Sequence, residues 1–159
     1  MGYFFSPYEI AEMAMRVEAA GAAFYQKAAK FAPEGKVREI FLFLSNEEID
    51  HQNTFRIIRD MEQKKNTAVE YAIDLAAHIE RLIEEYKQGV FDLNPEEISA
   101  LTVAKCLDIG IRTERGLLTV YTELYETFVD KFHSVLTSIA NQEKDHLEAL
   151  QNVKKELGL

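Results

Sequence analysis

Glu48-Ile49-Asp50-His51 and Glu143-Lys144-Asp145-His146 each set a glutamate and a histidine three positions apart. On a helix that spacing puts a carboxylate and an imidazole side by side on one face. Two further glutamates, Glu18 and Glu114, lie upstream of the two motifs. In a four-helix bundle, one Glu from each of two helices and a Glu-x-x-His from each of the other two build a carboxylate-bridged dinuclear metal site. The chemistry to look for is therefore that of two metal ions held by four carboxylates and two imidazoles.

The elements that must carry these residues read as helices almost throughout. Ser6-Pro7-Tyr8-Glu9 has the form of a capping box with Pro at the first helical position. Apolar and small residues then recur at helical spacing to about Ala32, and Pro33-Glu34-Gly35 breaks the chain. A second helix is expected from about Lys36 to about Gln63, ending at Lys64-Lys65-Asn66. A third, amphipathic helix is expected from about Ala68 to Gln88, with Ala72, Leu75, Ala76, Ile79, Leu82, Ile83 and Tyr86 on its apolar face and Gly89 as its stop. Asn94-Pro95-Glu96-Glu97 starts a helix running to about Thr127, and the last spans about Lys131 to Glu156 with Asp130 as its cap. No strand pattern is visible.

The two halves repeat one another. Glu18 and Glu114 are 96 positions apart, as are Tyr25 and Tyr121, while Glu48 and Glu143, and His51 and His146, are 95 apart. The chain thus reads as one domain made of two helical hairpins, about 6–63 and about 95–157, joined by a crossover at about 64–94. Glu18 and Glu48 are equidistant from Pro33, and the midpoint of Glu114 and Glu143, 128.5, falls next to the turn at Val129-Asp130. All four glutamates lie ~22 Å from their turns, so antiparallel hairpins bring them to one layer near the bundle's middle.

Each of those glutamates interrupts a core stripe. Helix neighbours of Glu18 include Ala11, Ala14, Ala22 and Tyr25; those of Glu114 include Leu107, Ile111, Leu118 and Tyr121. No Lys or Arg lies on these stripes. A buried carboxylate without a partner protonates or takes up a cation. Two divalent ions would balance four carboxylates and leave the histidines neutral. Gly21, Gly110 and the small alanines are expected to leave room for the metals and a bound oxidant.

Blander readings apply to the other candidates. One Glu-x-x-His alone is weak evidence, because such pairs also occur on solvated faces; two in register with two buried glutamates and a repeat are not. Asp130-Lys131-Phe132-His133 has a related shape, but His133 lies ~20 Å along the helix from His146 and reads as a surface or helix-end residue. His78 falls on the polar face of the crossover. Glu47 points about 100° away from Glu48 and is not expected to be a ligand. Cys106 reads as a small buried apolar residue, and Met13 and Met15 as core filler.

Composition narrows the class further. The 159 residues carry a formal net charge of -9, which argues against nucleic acid or an anionic membrane surface as partner. One cysteine allows no intrachain disulfide and no four-cysteine metal site. Neither a secretory signal nor a membrane span is visible, so a cytoplasmic location is the expectation.

The six residues, their order and the long connection between hairpins resemble the ferritin-like diiron-carboxylate superfamily, and most closely its rubrerythrin branch. The resemblance implies an all-α antiparallel four-helix bundle holding two iron ions, with manganese or zinc as substitutes. It implies Glu18 and Glu114 as terminal ligands, Glu48 and Glu143 as bridges, and His51 and His146 on one metal each. Tyr25 and Tyr121 would orient ligand carboxylates from behind, and Asp50 and Asp145 are candidates for a similar part. It further implies reduction of hydrogen peroxide or dioxygen, with iron binding and ferroxidase activity as the alternative. Two departures stand out. Rubrerythrins usually carry a four-cysteine rubredoxin domain, for which this sequence lacks the cysteines, so a separate rubredoxin-like electron donor is expected. The extra carboxylate that rubrerythrins place one turn after the third-helix ligand is here Leu117. Little chain follows Glu156 to form the fifth helix of a ferritin cage, and a homodimer is the expected assembly.

Overall fold

The computed structural model describes residues 2–62, 68–88, 100–127 and 130–159. A short strand β1 (Tyr3–Phe5) leads into helix α1 (Pro7–Phe31) and then α2 (Lys36–Glu62). Strand β2 (Val69–Tyr71) and helix α3 (Leu75–Gln88) follow. Helix α4 (Ala100–Thr127), a single 3-10 turn (Asp130–Phe132) and α5 (His133–Glu156) complete the chain. Helix α1 packs along α2, and α4 along α5, while α3 lies against both α1 and α4. This is the all-α arrangement of two hairpins and a crossover that a ferritin-like four-helix bundle requires.

Local chemistry sets the helix ends. The Ser6 hydroxyl accepts from the Glu9 backbone N–H at 3.2 Å, and the Glu9 carboxylate accepts from the Ser6 N–H at 2.7 Å. The expected capping box is therefore closed, with Pro7 at the first helical position. At the other end Ala32 turns to an extended conformation ahead of Pro33, as a residue before proline must. The reversal passes through Gly35 at φ 105°, a left-handed conformation that needs glycine. Arg38 clamps the corner by donating to the Ala32 carbonyl at 2.8 and 3.2 Å.

Three expectations are corrected. A two-stranded antiparallel ladder exists, pairing Tyr3 with Tyr71, Phe4 with Glu70 and Phe5 with Val69. Three-residue strands are too short to display a period of two, although their aromatic and β-branched residues suit a sheet. Helix α3 begins at Leu75 rather than near Ala68, because the Asp74 side chain caps it by accepting from Ala77 N–H at 3.1 Å. At 14 residues it spans ~21 Å. Asp130 opens the 3-10 turn and does not cap α5, whose first turn has no side-chain cap. The expected helix end at Lys64-Lys65-Asn66, the stop at Gly89 and the start at Asn94-Pro95 lie outside the described residues.

The core runs the length of the bundle through Ile10, Val17, Phe24, Phe41, Leu44, Phe55, Leu107, Leu136, Ile139 and Leu150, all buried. Leu75, Ile79, Leu82, Ile83 and Tyr86 of α3 join it, whereas Ala72 stands exposed ahead of the helix.

Candidate metal centre

Each of the four long helices brings one glutamate to the centre of this core. Glu18 from α1 is 1% exposed, and Glu48 from α2, Glu114 from α4 and Glu143 from α5 are fully buried. His51 and His146, one turn beyond Glu48 and Glu143, are buried beside them. Their rings stack at 5.6 Å between centroids with a 24° angle between planes.

The six side chains form two overlapping groups. Glu18, Glu48, His51 and Glu143 each offer one ligand atom, all within 4.8 Å of one another, and so do Glu48, Glu114, Glu143 and His146. Glu48 and Glu143 belong to both groups. Glu143 turns Oε1 to His51 Nδ1 at 2.9 Å and Oε2 to His146 Nδ1 at 3.0 Å. Glu48 does the same, with Oε2 at 3.3 Å from His51 Nδ1 and Oε1 at 3.9 Å from His146 Nδ1. Glu18 lies 3.8 Å from His51 alone, and Glu114 3.9 Å from His146 alone. The structure thus brings all six expected residues together, two shared and four private.

Electrostatics in this pocket are those of four buried carboxyl groups crowded around two imidazoles. Burial, then the charge of Glu48, pushes Glu18 well above the ordinary carboxylate range. Burial, then the charges of Glu143 and Glu48, does the same to Glu114. Burial also works against ionised Glu143, but hydrogen bonds from His146 and His51 outweigh it and bring its pKa down to about 2. Burial disfavours both charged imidazoles, and the surrounding carboxylates, Glu143 foremost, override it and raise them. Both oxygens of Glu18 and of Glu48 lack a hydrogen-bond donor. Orphaned buried acceptors of this kind call for a cation. A donor set of four carboxylates and two imidazoles suits iron or manganese, and zinc can also take it.

The surrounding shell departs from the sequence reading. Tyr25 donates its hydroxyl to Glu114 Oε1, as expected. Its repeat mate Tyr121 is buried and stacked on Phe55 at 5.5 Å, but its hydroxyl has no hydrogen-bond partner. Gly21 and Gly110 do not leave open space. A Cβ on Gly21 would meet Tyr86 Oη at 3.2 Å and Glu48 Cγ at 3.4 Å, and one on Gly110 would meet Tyr25 Oη at 3.0 Å. These glycines admit tyrosines to the site. Tyr86 was legible only as a core residue of the crossover, yet it is fully buried beside the carboxylates and in edge contact with Tyr25 at 6.1 Å. Asp50 and Asp145 are exposed and take no part. Glu47 is not in either group, but its Oε2 lies 3.8 Å from His146 Nε2, and Gln142 Oε1 lies 3.3 Å from His51 Nε2. A clue to both was available: each immediately precedes a shared glutamate, so they share its 95-residue offset.

Phe43 stands edge-on to His146 at 6.0 Å and is itself half exposed. His133 packs on Tyr125 at 4.5 Å at the far end of the bundle. His78 is half-buried rather than solvated, with Arg81 3.2 Å from its Nδ1. Cys106 is buried, as expected, and burial pushes its thiol up to about 11. Among the described residues no helix is long and apolar enough to cross a membrane.

A comparison with known families matches residues 9–154 to the family model described as Rubrerythrin. No curated protein and no solved structure matches the chain.

Proposed function

The chain belongs to the rubrerythrin family, and we propose that it is a non-haem diiron oxidoreductase that reduces hydrogen peroxide, or dioxygen, with electrons from a separate rubredoxin-like carrier. The observation that carries this reading is the sharing of Glu48 and Glu143 between two four-residue groups. Glu18 and His51 would hold one ion, Glu114 and His146 the other, and Glu48 and Glu143 both. Bound as a pair, two ferrous ions supply two electrons, the number needed to cleave the O–O bond of peroxide.

The protein's own part is to hold the ligands and control what reaches them. Four ionised carboxylates would balance two divalent cations, so loading would offset the burial and mutual repulsion that raise Glu18 and Glu114. Both histidines present Nδ1 to the carboxylates. As ligands they must be neutral, so loading expels their extra protons. Tyr25 fixes one oxygen of Glu114. The apolar stripes exclude bulk water, and half-exposed Phe43 stands edge-on to His146.

Anaerobic loading of the metal-free protein with Fe(II), followed by rapid mixing with peroxide, tests the proposal. Stoichiometric oxidation much faster than with dioxygen supports it. Oxidation no faster than that of free Fe(II) overturns it. A large hollow particle holding hundreds of irons replaces it with iron storage.

A further inference from the structure

The two metal positions have matching ligands, but the groups behind their histidines differ. Each histidine points Nδ1 inward at the carboxylates and Nε2 outward at the opposite hairpin. His51 on α2 meets Gln142 Oε1 on α5 at 3.3 Å. His146 on α5 faces Glu47 Oε2 on α2 at 3.8 Å, and its buried Nε2 has no hydrogen-bond partner. Helical geometry explains the exchange: a residue preceding a shared glutamate is turned about 100° from it, toward the neighbouring helix. The repeat therefore preserves the place of the outer partner but not its charge.

Resting on the reading of this cluster as a dinuclear metal centre, we propose that Glu47 and Gln142 are positioning residues that make its two halves unequal, the half containing His146 binding metal first and more tightly. With Nδ1 facing the metal, Nε2 carries the ring proton and must donate it. A carboxylate acceptor fixes that tautomer and strengthens the imidazole as a ligand more than an amide does. It also adds a negative charge close to the cation it serves. Tyr25 works in the opposite sense by drawing on Glu114, but a neutral hydroxyl leaves the charge of its ligand unchanged, so the carboxylate at Glu47 prevails. Glu47 has a quarter of its side chain exposed, which leaves it free to close the last fraction of an ångström onto Nε2.

Anaerobic calorimetric titration of the metal-free protein with Co(II), followed in parallel by visible absorption, reads this directly. The wild type should bind two ions in two resolved steps. Glu47→Gln should weaken the tighter step by about ten- to a hundredfold, the range typical for loss of an outer partner. Gln142→Glu should strengthen the weaker step and bring the two together. His146→Ala should remove the tighter step and His51→Ala the weaker one. Unchanged constants in Glu47→Gln, or loss of the tighter step in His51→Ala, overturn the proposal. Should Glu47→Gln not fold, Gln142→Glu decides alone, and no gain in its weaker step is the overturning result. A wild type that takes up fewer than two ions is a different failure, that of the dinuclear reading itself.

Discussion

Tyr25 on α1 donates its hydroxyl to Oε1 of Glu114 on α4, whereas Tyr121, its counterpart in the repeat, finds no partner for its own hydroxyl. Tyr25→Phe should therefore destabilise the protein by about 1–3 kcal/mol, because a buried carboxylate oxygen loses its donor. Tyr121→Phe should be neutral or slightly stabilising, since it removes a buried hydroxyl that bonds to nothing. Urea denaturation of the two variants beside wild type measures the difference. Equal losses in both would contradict the asymmetry.

Stability and metal binding pull in opposite directions at Glu48. Its charge helps to raise Glu18 and Glu114. Glu48→Gln keeps the shape and removes the charge, so the metal-free variant should melt no lower than wild type. With Fe(II) or Mn(II) present it should melt clearly lower, because a shared ligand is gone and with it the stabilisation that bound metal gives the native state. Thermal melts with and without metal should cross. A variant destabilised without metal that still binds two ions would make Glu48 a structural residue only.

The metal-free protein should lose stability as pH rises. Glu18 and Glu114 are raised in the folded state, so above the unfolded value of about 4.3 the native state holds more protons than the unfolded one. The raised histidines act in the same sense: their contribution is complete below about 6.5 and is lost as pH climbs through the folded values. Glu143, at about 2, opposes them only in acid, its contribution fading as pH falls below the unfolded value. A metal-free melting point higher at about pH 5.5 than at about pH 8 is expected. Loading at neutral pH should release protons, which a weakly buffered titration counts. A flat melting profile without proton release would contradict both.

Ser6→Ala tests the scaffold apart from the site. Loss of the capping box should cost about 1 kcal/mol, and by the same amount with and without metal, since Ser6 lies about three turns from Glu18 along α1. An altered metal stoichiometry would show that the helix start and the centre are coupled.

The cluster of six residues was legible because each glutamate breaks an apolar stripe and sits at a matched distance from its turn, two facts that need only the helical period. The capping box at Ser6 was legible for the same reason, being entirely local. What stayed hidden depends on contacts between elements. Tyr86 has the pattern of an ordinary core residue on α3, and only its docking over Gly21 brings it to the carboxylates. Tyr25 and Tyr121 are equivalent in sequence, and packing alone decides which of them bonds to a glutamate. Glu47 stands outside both four-residue groups, but its turn of about 100° from Glu48 delivers it to His146. The Tyr3–Phe5 ladder with Val69–Tyr71 joins segments too short for any periodicity to register.

Glu48 belongs to the first hairpin and Glu143 to the second, yet each faces the histidines of both. The centre is therefore also a seam. Without metal the seam crowds buried acids whose ionisation burial and mutual repulsion oppose; two bound ions would make it a reversible cross-link between segments 95 positions apart in the chain. With two ions bound as proposed, metal supply would set how tightly the halves are sewn: the metal-free chain would be looser along α2 and α5 and more open to proteases, and its abundance should track the supply of that metal.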